Sequence, residues 1–359
     1  ESKFVRQSLD APCTNARLLR SGRTRRSSHL KPAWWARHAH LQTILPVLMP
    51  FTAPNYTRER WDTPEVDNIC DFIDLDWVNL ESAGNPQQKI FILFHGLEGS
   101  SQSSYAKALM RLAQTRGWTG VVVHWRSCSG QMNRGRVMYH SGFSSEIDWV
   151  VKRIAQRFPD SVRHIAGVSL GGNALLKWLG ESGTDACGLV ASAASICAPH
   201  DLKAGAVALE SGFNQRVYMR SFLSTLKQKA LAKLAQFPDL PITVAQIHSA
   251  RNFFHVDEYF TAPLHGFKNA EDYWQKSSSK QYMRGIDVPT LILNTANDPI
   301  VPKHSLARTD EVSPSVQLCY TENGGHVGFV TARQAGAMGD EMAHFGWMPE
   351  RVLNFFENR

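Results

Sequence analysis

The feature that most limits how this chain can fold is a recurrence. Apolar runs of six to eight residues alternate with stretches of helical period: "KIFILF" (Lys89–Phe94), "GVVVHW" (Gly120–Trp125), Val162–Val168, "GLVASAAS" (Gly188–Ser195), "PTLILNTA" (Pro289–Ala296) and "VQLCYT" (Val316–Thr321). Runs without polar alternation predict strands buried on both faces, as in a parallel sheet. Upstream, "DFIDLDWV" (Asp71–Val78) alternates Ile73, Leu75 and Trp77 with Asp74 and Asp76, which predicts a strand with one wet face. Tyr105, Ala108, Leu109, Leu112 and Ala113 share one helical face up to Gly117. Ile147, Val151, Ile154 and Phe158 mark another helix, opening near Ser145 with Asp148 as its capping partner. Such alternation predicts the α/β class, with a mostly parallel central sheet flanked by helices.

One stretch breaks the rhythm. Between His200 and Met283 no strong strand pattern occurs, while Met219, Leu223, Leu226, Ala230 and Leu234 share a face and Lys227, Lys229 and Lys233 lie elsewhere. This predicts a helical cap inserted over 201–283, leaving 31–200 and 284–359 as the core. The insertion carries twelve aromatic residues, an apolar lining for a pocket roofed over the strand ends.

Residues 1–30 have no periodicity and many Ser and Arg, so they read as a basic, flexible arm. Residues 1–40 hold nine Lys/Arg against two acidic residues, an excess equal to the whole chain's net charge of +7. The remaining body is neutral, which argues against a nucleic-acid enzyme. The arm and the cap are where a peripheral membrane contact would fall. Hydrophobic residues make up 43% and charged residues 20%, and no apolar run nears the roughly 20 residues of a membrane span. Six cysteines show neither CxxC nor zinc spacing, which predicts reduced thiols, a cytoplasmic setting and no metal.

Within this frame, Gly167-Val168-Ser169-Leu170-Gly171 fits G-x-S-x-G between a strand and a helical run, the setting of a nucleophile elbow. Alone the pattern is weak, because a serine between glycines is an ordinary turn. A serine hydroxyl also needs a base. Asp298 follows the strand run Pro289–Ala296, and His326 stands in a glycine-lined turn after Val316–Thr321. Alone, Asp298 before Pro299 would be an Asx-turn residue. The three in the order Ser–Asp–His, each after a strand, predict a catalytic triad. Leu170 N–H, next to the serine, and Leu97 N–H, in "HGLEG" after the first run, are the expected oxyanion donors. Asp201 and Asp257 are rival carboxylates in the cap, and neither follows a strand of the sheet.

Further segments carry a resemblance: "HLQTILP" (His40–Pro46), "HGLEGSSQSSYA", "HWRSCSG" (His124–Gly130), "YHSG" (Tyr139–Gly142), "GVSLGGN", "TAPLHGF" (Thr261–Phe267) with "AEDYW" after it, "NDPIVP" and "GGHVGF". From about residue 32 onward the chain resembles the YheT-like branch of the α/β-hydrolases, which includes bacterial hydrolases, yeast medium-chain ester synthases/esterases and animal lipases. The resemblance implies the α/β-hydrolase fold and a triad on Ser169, Asp298 and His326. Two positions depart from it: Ser127 stands where Gly is usual, and Phe143 where an acidic residue is common.

The expected function is that of a serine carboxylester hydrolase on short- to medium-chain acyl or lipid esters, with no cofactor and no metal. Acyl transfer to an alcohol is the alternative, since the same acyl-enzyme serves both; a non-catalytic lipid- or partner-binding scaffold is the reading from another class. Oligomeric state is not readable from these residues.

Overall fold

In a computed structural model, which describes residues 30–333 and 339–359, the apolar runs pair into one eight-stranded sheet. Its strands are β1 (Thr57–Asp62), β2 (Phe72–Val78), β3 (Lys89–Phe94), β4 (Thr119–Val123), β5 (Val162–Val168), β6 (Ser192–Ile196), β7 (Thr290–Thr295) and β8 (Val316–Thr321), in the order β1-β2-β4-β3-β5-β6-β7-β8. From β4 to β8 every pairing is parallel; β1 and β2 add an antiparallel edge. The arm assigned to residues 1–30 lies outside the described residues but for Leu30.

Continuous apolar runs are needed because both faces of the sheet are covered. In β3, Ile90, Ile92 and Phe94 pack with Ile147, Val151 and Leu175, while Phe91 and Leu93 pack with Leu109, Leu112 and Phe356 on the other face. The covering helices are α1 (Ala39–Leu48), α2 (Ser104–Thr115), α3 (Ser144–Arg157), α4 (Leu170–Ser182) and, beyond the segment described next, Trp347–Glu357. Between β6 and β7 the chain leaves the sheet for a mainly helical segment. It contains α5 (Arg220–Gln236), α6 (Ala270–Ser277) and two π-helical turns, Gln215–Met219 and Asp257–Thr261. No described helix is long and apolar enough to cross a membrane.

Three local expectations need correction. The alternating strand β2 has no wet face: every residue is buried, Asp74 and Asp76 included. Arg60 and Arg58 on β1 reach across to them in forked pairs, Arg60 Nε to Asp74 at 2.7 Å and Arg58 Nε to Asp76 at 2.7 Å. Alternation reads polarity but not a neighbouring strand that neutralises it. Asp148 does not cap α3, whose N-cap residue is Phe143; it accepts from Lys152 Nζ and Trp178 Nε1 instead. Finally, Lys233 does not lie apart from the inward face of α5. It is fully buried, and with Ala230 it makes up the helix's buried set.

Candidate active site

Strand β5 ends at Val168 and α4 begins at Leu170, so a single residue turns the chain. That residue is Ser169, at φ 51° and ψ −116°, a strained backbone for a side chain. The turn is possible because the residues two positions to either side lack side chains: a Cβ on Gly167 would run into the Gly171 backbone, and one on Gly171 would lie 2.5 Å from Phe94 O and 2.6 Å from His95 O at the end of β3. Ser169 N–H donates to Ile196 O at 2.8 Å, which ties the elbow to β6. Asn173, one turn into α4, is buried and donates to Ser141 O and Ser277 O at 2.8 Å each.

His326 lies in the turn after β8, where Gly324, Gly325 and Val327 all have positive φ. The turn leans on α1. His326 N–H donates to Thr43 Oγ1 at 2.9 Å, and a Cβ on Gly325 would meet Ala39 O, Gln42 and Thr43. Asp298 follows β7 and does two things. Its Oδ1 accepts from the N–H groups of Ile300 and Val301 at 2.8 and 3.0 Å, so the Asx-turn reading holds. Its Oδ2 lies 2.8 Å from His326 Nδ1, and His326 Nε2 lies 3.0 Å from Ser169 Oγ. The three side chains thus form one hydrogen-bonded line, with the carboxylate wholly buried and the imidazole 12% exposed.

Neither rival carboxylate joins that line. Asp201 caps a short helix, accepting from Ala204 N–H at 3.0 Å. Asp257 accepts from Thr261 Oγ1 at 2.7 Å and Trp274 Nε1 at 2.8 Å, and burial pushes its carboxyl up to about 7.

The two leucines expected to supply N–H donors both border the space in front of Ser169. Leu170 opens α4, so its N–H has no partner within the helix. In the loop after β3, Gly96 N–H donates to Tyr105 OH and Glu98 N–H to Tyr139 OH, both at 2.9 Å. Leu97 N–H lies between these two engaged groups. Leu97, Leu170, Ser169 and His326 all line one cavity of about 130 Å³. Its far walls are apolar and come from the helical segment, including Leu202, Phe222, Leu226, Phe253 and Phe260.

The two departures from the family pattern are accommodated outside the cavity wall. Ser127 sits at φ 66°, a conformation that favours glycine, and its hydroxyl donates to Asn133 Oδ1 at 2.6 Å. Phe143 stacks on His140, with ring centroids 5.0 Å apart. Sequence reasoning gave Thr43 and Tyr139 no role and read Tyr105 only as part of a helical face, yet all three brace the site without reacting. "HLQTILP", "HGLEGSSQSSYA" and "YHSG" hold them, but nothing in these strings says which turn each one touches.

A family model described as the alpha/beta hydrolase fold matches residues 89–332. The predicted esterase YheT of Escherichia coli (strain K12) is 38% identical over 294 residues, covering 82% of this chain and 84% of its own length. The phospholipase ABHD3 of Mus musculus is 26% identical over 305 residues, covering 83% of this chain and 72% of its own. Among solved structures, a Pyrococcus furiosus esterase, Pf2001, superposes with a TM-score of 0.52 at 13% identity, covering 86% of this chain and 98% of that one, a likeness of fold. By matched length and by identity, this chain belongs to the α/β-hydrolase family, in its YheT-like branch.

Proposed function

We propose that the protein is a serine carboxylester hydrolase working through an acyl-enzyme on short- to medium-chain acyl esters or lipid esters. The observation that carries the reading is the unbroken line from Asp298 through His326 to Ser169 Oγ, ending in the cavity. His326 Nε2 takes the Ser169 proton as the oxygen attacks the ester carbonyl, and returns it to the leaving alcohol. Asp298 accepts from His326 Nδ1–H, keeps Nε2 free as base and stabilises the imidazolium. The N–H groups of Leu97 and Leu170 bind the oxyanion, each worth roughly 3–4 kcal/mol in the transition state. A water deprotonated by His326 then releases the acid. The names of the relatives, an esterase and a phospholipase, agree with this chemistry.

We read 201–283 as the cap that houses the acyl chain, since its apolar side chains furnish the cavity's far walls. We keep any peripheral lipid contact on the arm or the cap. Beside them Trp34, Val47 and Leu48 are 78%, 77% and 73% exposed, and Ile44 packs into the cluster that includes Leu209 and Phe222 of the cavity wall. The test is direct. A fluorophosphonate should label Ser169, and Ser169→Ala should fold, lose the label and lose at least about 10³-fold in hydrolysis of 4-nitrophenyl butyrate. A folded Ser169→Ala protein hydrolysing at the wild-type rate would sink the assignment.

A further inference from the structure

The loop His95–Gly99 is held by hydrogen bonds on both sides of Leu97. His95 Nδ1–H donates to Gly96 O at 2.8 Å while its Nε2 accepts from Trp125 N–H at 3.1 Å, an arrangement of the neutral ring. Gly99 N–H closes on Gly96 O at 3.0 Å. Glu98 sits at φ 55°, a conformation a side-chain-bearing residue keeps only when its surroundings impose it. Tyr139 imposes part of it. Its hydroxyl accepts from Glu98 N–H at 2.9 Å and donates to Glu98 Oε1 at 2.6 Å, and its ring stacks on Trp125.

The remaining restraint comes from the cap. Lys229 Nζ on α5 donates to the same Glu98 Oε1 at 2.8 Å, with the two side chains 20% and 12% exposed. It also lies 3.4 Å from Cys128 Sγ and 5.8 Å from the centre of the Tyr139 ring. One turn further along α5, the buried Lys233 Nζ donates to Asn133 O, Asn133 Oδ1 and Gly135 O at 2.8–3.0 Å. The helix thus turns two ammonium groups inward. Lys233 seats α5 on the core; Lys229 reaches the loop that carries Leu97.

We propose that Lys229 is a positioning residue for the oxyanion loop, so that the Leu97 donor is correctly aimed only while the cap helix is seated. The proposal rests on the reading of Leu97 as an oxyanion donor. Without Lys229, Glu98 keeps one partner and a charge facing a partly dry site. Its carboxylate then swings toward water, its backbone relaxes from positive φ, and the adjoining Leu97 peptide turns with it. A donor tuned to a developing oxyanion loses its effect over such small displacements. Cap seating and transition-state stabilisation are thereby linked through one ion pair.

The experiment compares wild type, Lys229→Met, Glu98→Ala and the double variant, using 4-nitrophenyl butyrate and a 4-nitrophenyl alkylphosphonate that phosphonylates Ser169. Lys229→Met should lower kcat by about 10- to 50-fold with KM within about twofold, and should slow phosphonylation by the same factor, since the P=O oxygen needs the same donors. The double variant should fall no further than the worse single one, and Lys229→Arg should recover most of the rate. A Lys229→Met enzyme whose kcat and phosphonylation stay within twofold of wild type overturns the proposal, even with a lower Tm. So do a rise in KM alone and single losses that multiply in the double variant. Should Lys229→Met fail to fold, Lys229→Gln with Glu98→Ala decides by the same criteria. If wild type is never phosphonylated at Ser169, it is the nucleophile reading that fails instead.

Discussion

The strand ends of the sheet and the helical segment between β6 and β7 both contribute to one cavity, yet they are built by opposite rules. At the strand ends each side chain of the proposed triad stands one to five residues past a strand: Ser169 after β5, Asp298 after β7, His326 after β8. Parallel strands of a sheet finish at one edge, so residues that are distant in sequence converge without any further instruction. The helical segment contributes walls. Two of its polar groups, the buried Lys233 and the internally bonded Asp257, serve its packing. On the proposed reading, the chemistry falls to the strand ends and the choice of acyl chain to the helical segment, with its mixed α and π winding.

The sharpest way to break that division is to compare its two carboxylates. Asp298→Asn should keep the fold but lower kcat by about 10³–10⁴-fold, because the amide favours the wrong imidazole tautomer. Asp257→Asn should stay within about threefold for the same ester. Comparable losses in both would mean that the helical segment supplies chemistry after all.

A second test loads the apolar walls. In a series of 4-nitrophenyl esters, kcat/KM should rise by about two orders of magnitude from acetate to hexanoate, at roughly 0.8 kcal/mol per buried methylene. A steady fall from acetate onward would show that these walls do not receive the acyl chain.

The sheet edge is sharpened by a packing variant. Gly171→Ala places a methyl against the Phe94 and His95 carbonyls, and should cost about 1–3 kcal/mol in urea unfolding. An unchanged midpoint would mean that α4 can shift, and that the elbow is less rigid than the comparison requires.

The smallest effect concerns pH. Burial raises the Asp257 carboxyl from its ordinary 3.8 to about 7. Between those values the folded chain holds a proton that the unfolded chain releases, so this group's contribution is complete below about 4 and is lost as pH rises through about 7. Asp257→Asn has no such proton, and its amide can donate to Thr261 while accepting from Trp274. Relative to wild type, the variant should therefore gain in Tm between pH 5 and pH 8, and a constant difference would contradict the burial argument.

Much of the sheet was legible because its signal is local. An apolar run must be covered on both faces, a glycine beside a strand-to-helix turn must leave room for a backbone, and the Ser–Asp–His order needs only the strands to be parallel. The edge strand β1 (Thr57–Asp62, "TRERWD") gave no such sign, since its arginines are explained only by the aspartates across from them. The same blindness placed Asp74 and Asp76 in water and kept Lys233 off the face of α5 that carries Ala230.

By itself, then, the sequence determined the alternating strands and helices, the elbow at Ser169, the order of the residues that meet it, and the excess of aromatic side chains between β6 and β7. Tertiary structure alone decided which polar groups are buried and by whom: Arg58 and Arg60 on the β2 aspartates, Thr43 under the His326 turn, Tyr139 and Lys229 on Glu98. The physical reason is one of range. Backbone conformation and hydrophobic period are set by neighbours a few residues away, whereas a charge can be buried only beside a partner, and here that partner stands from 14 to 131 positions distant along the chain.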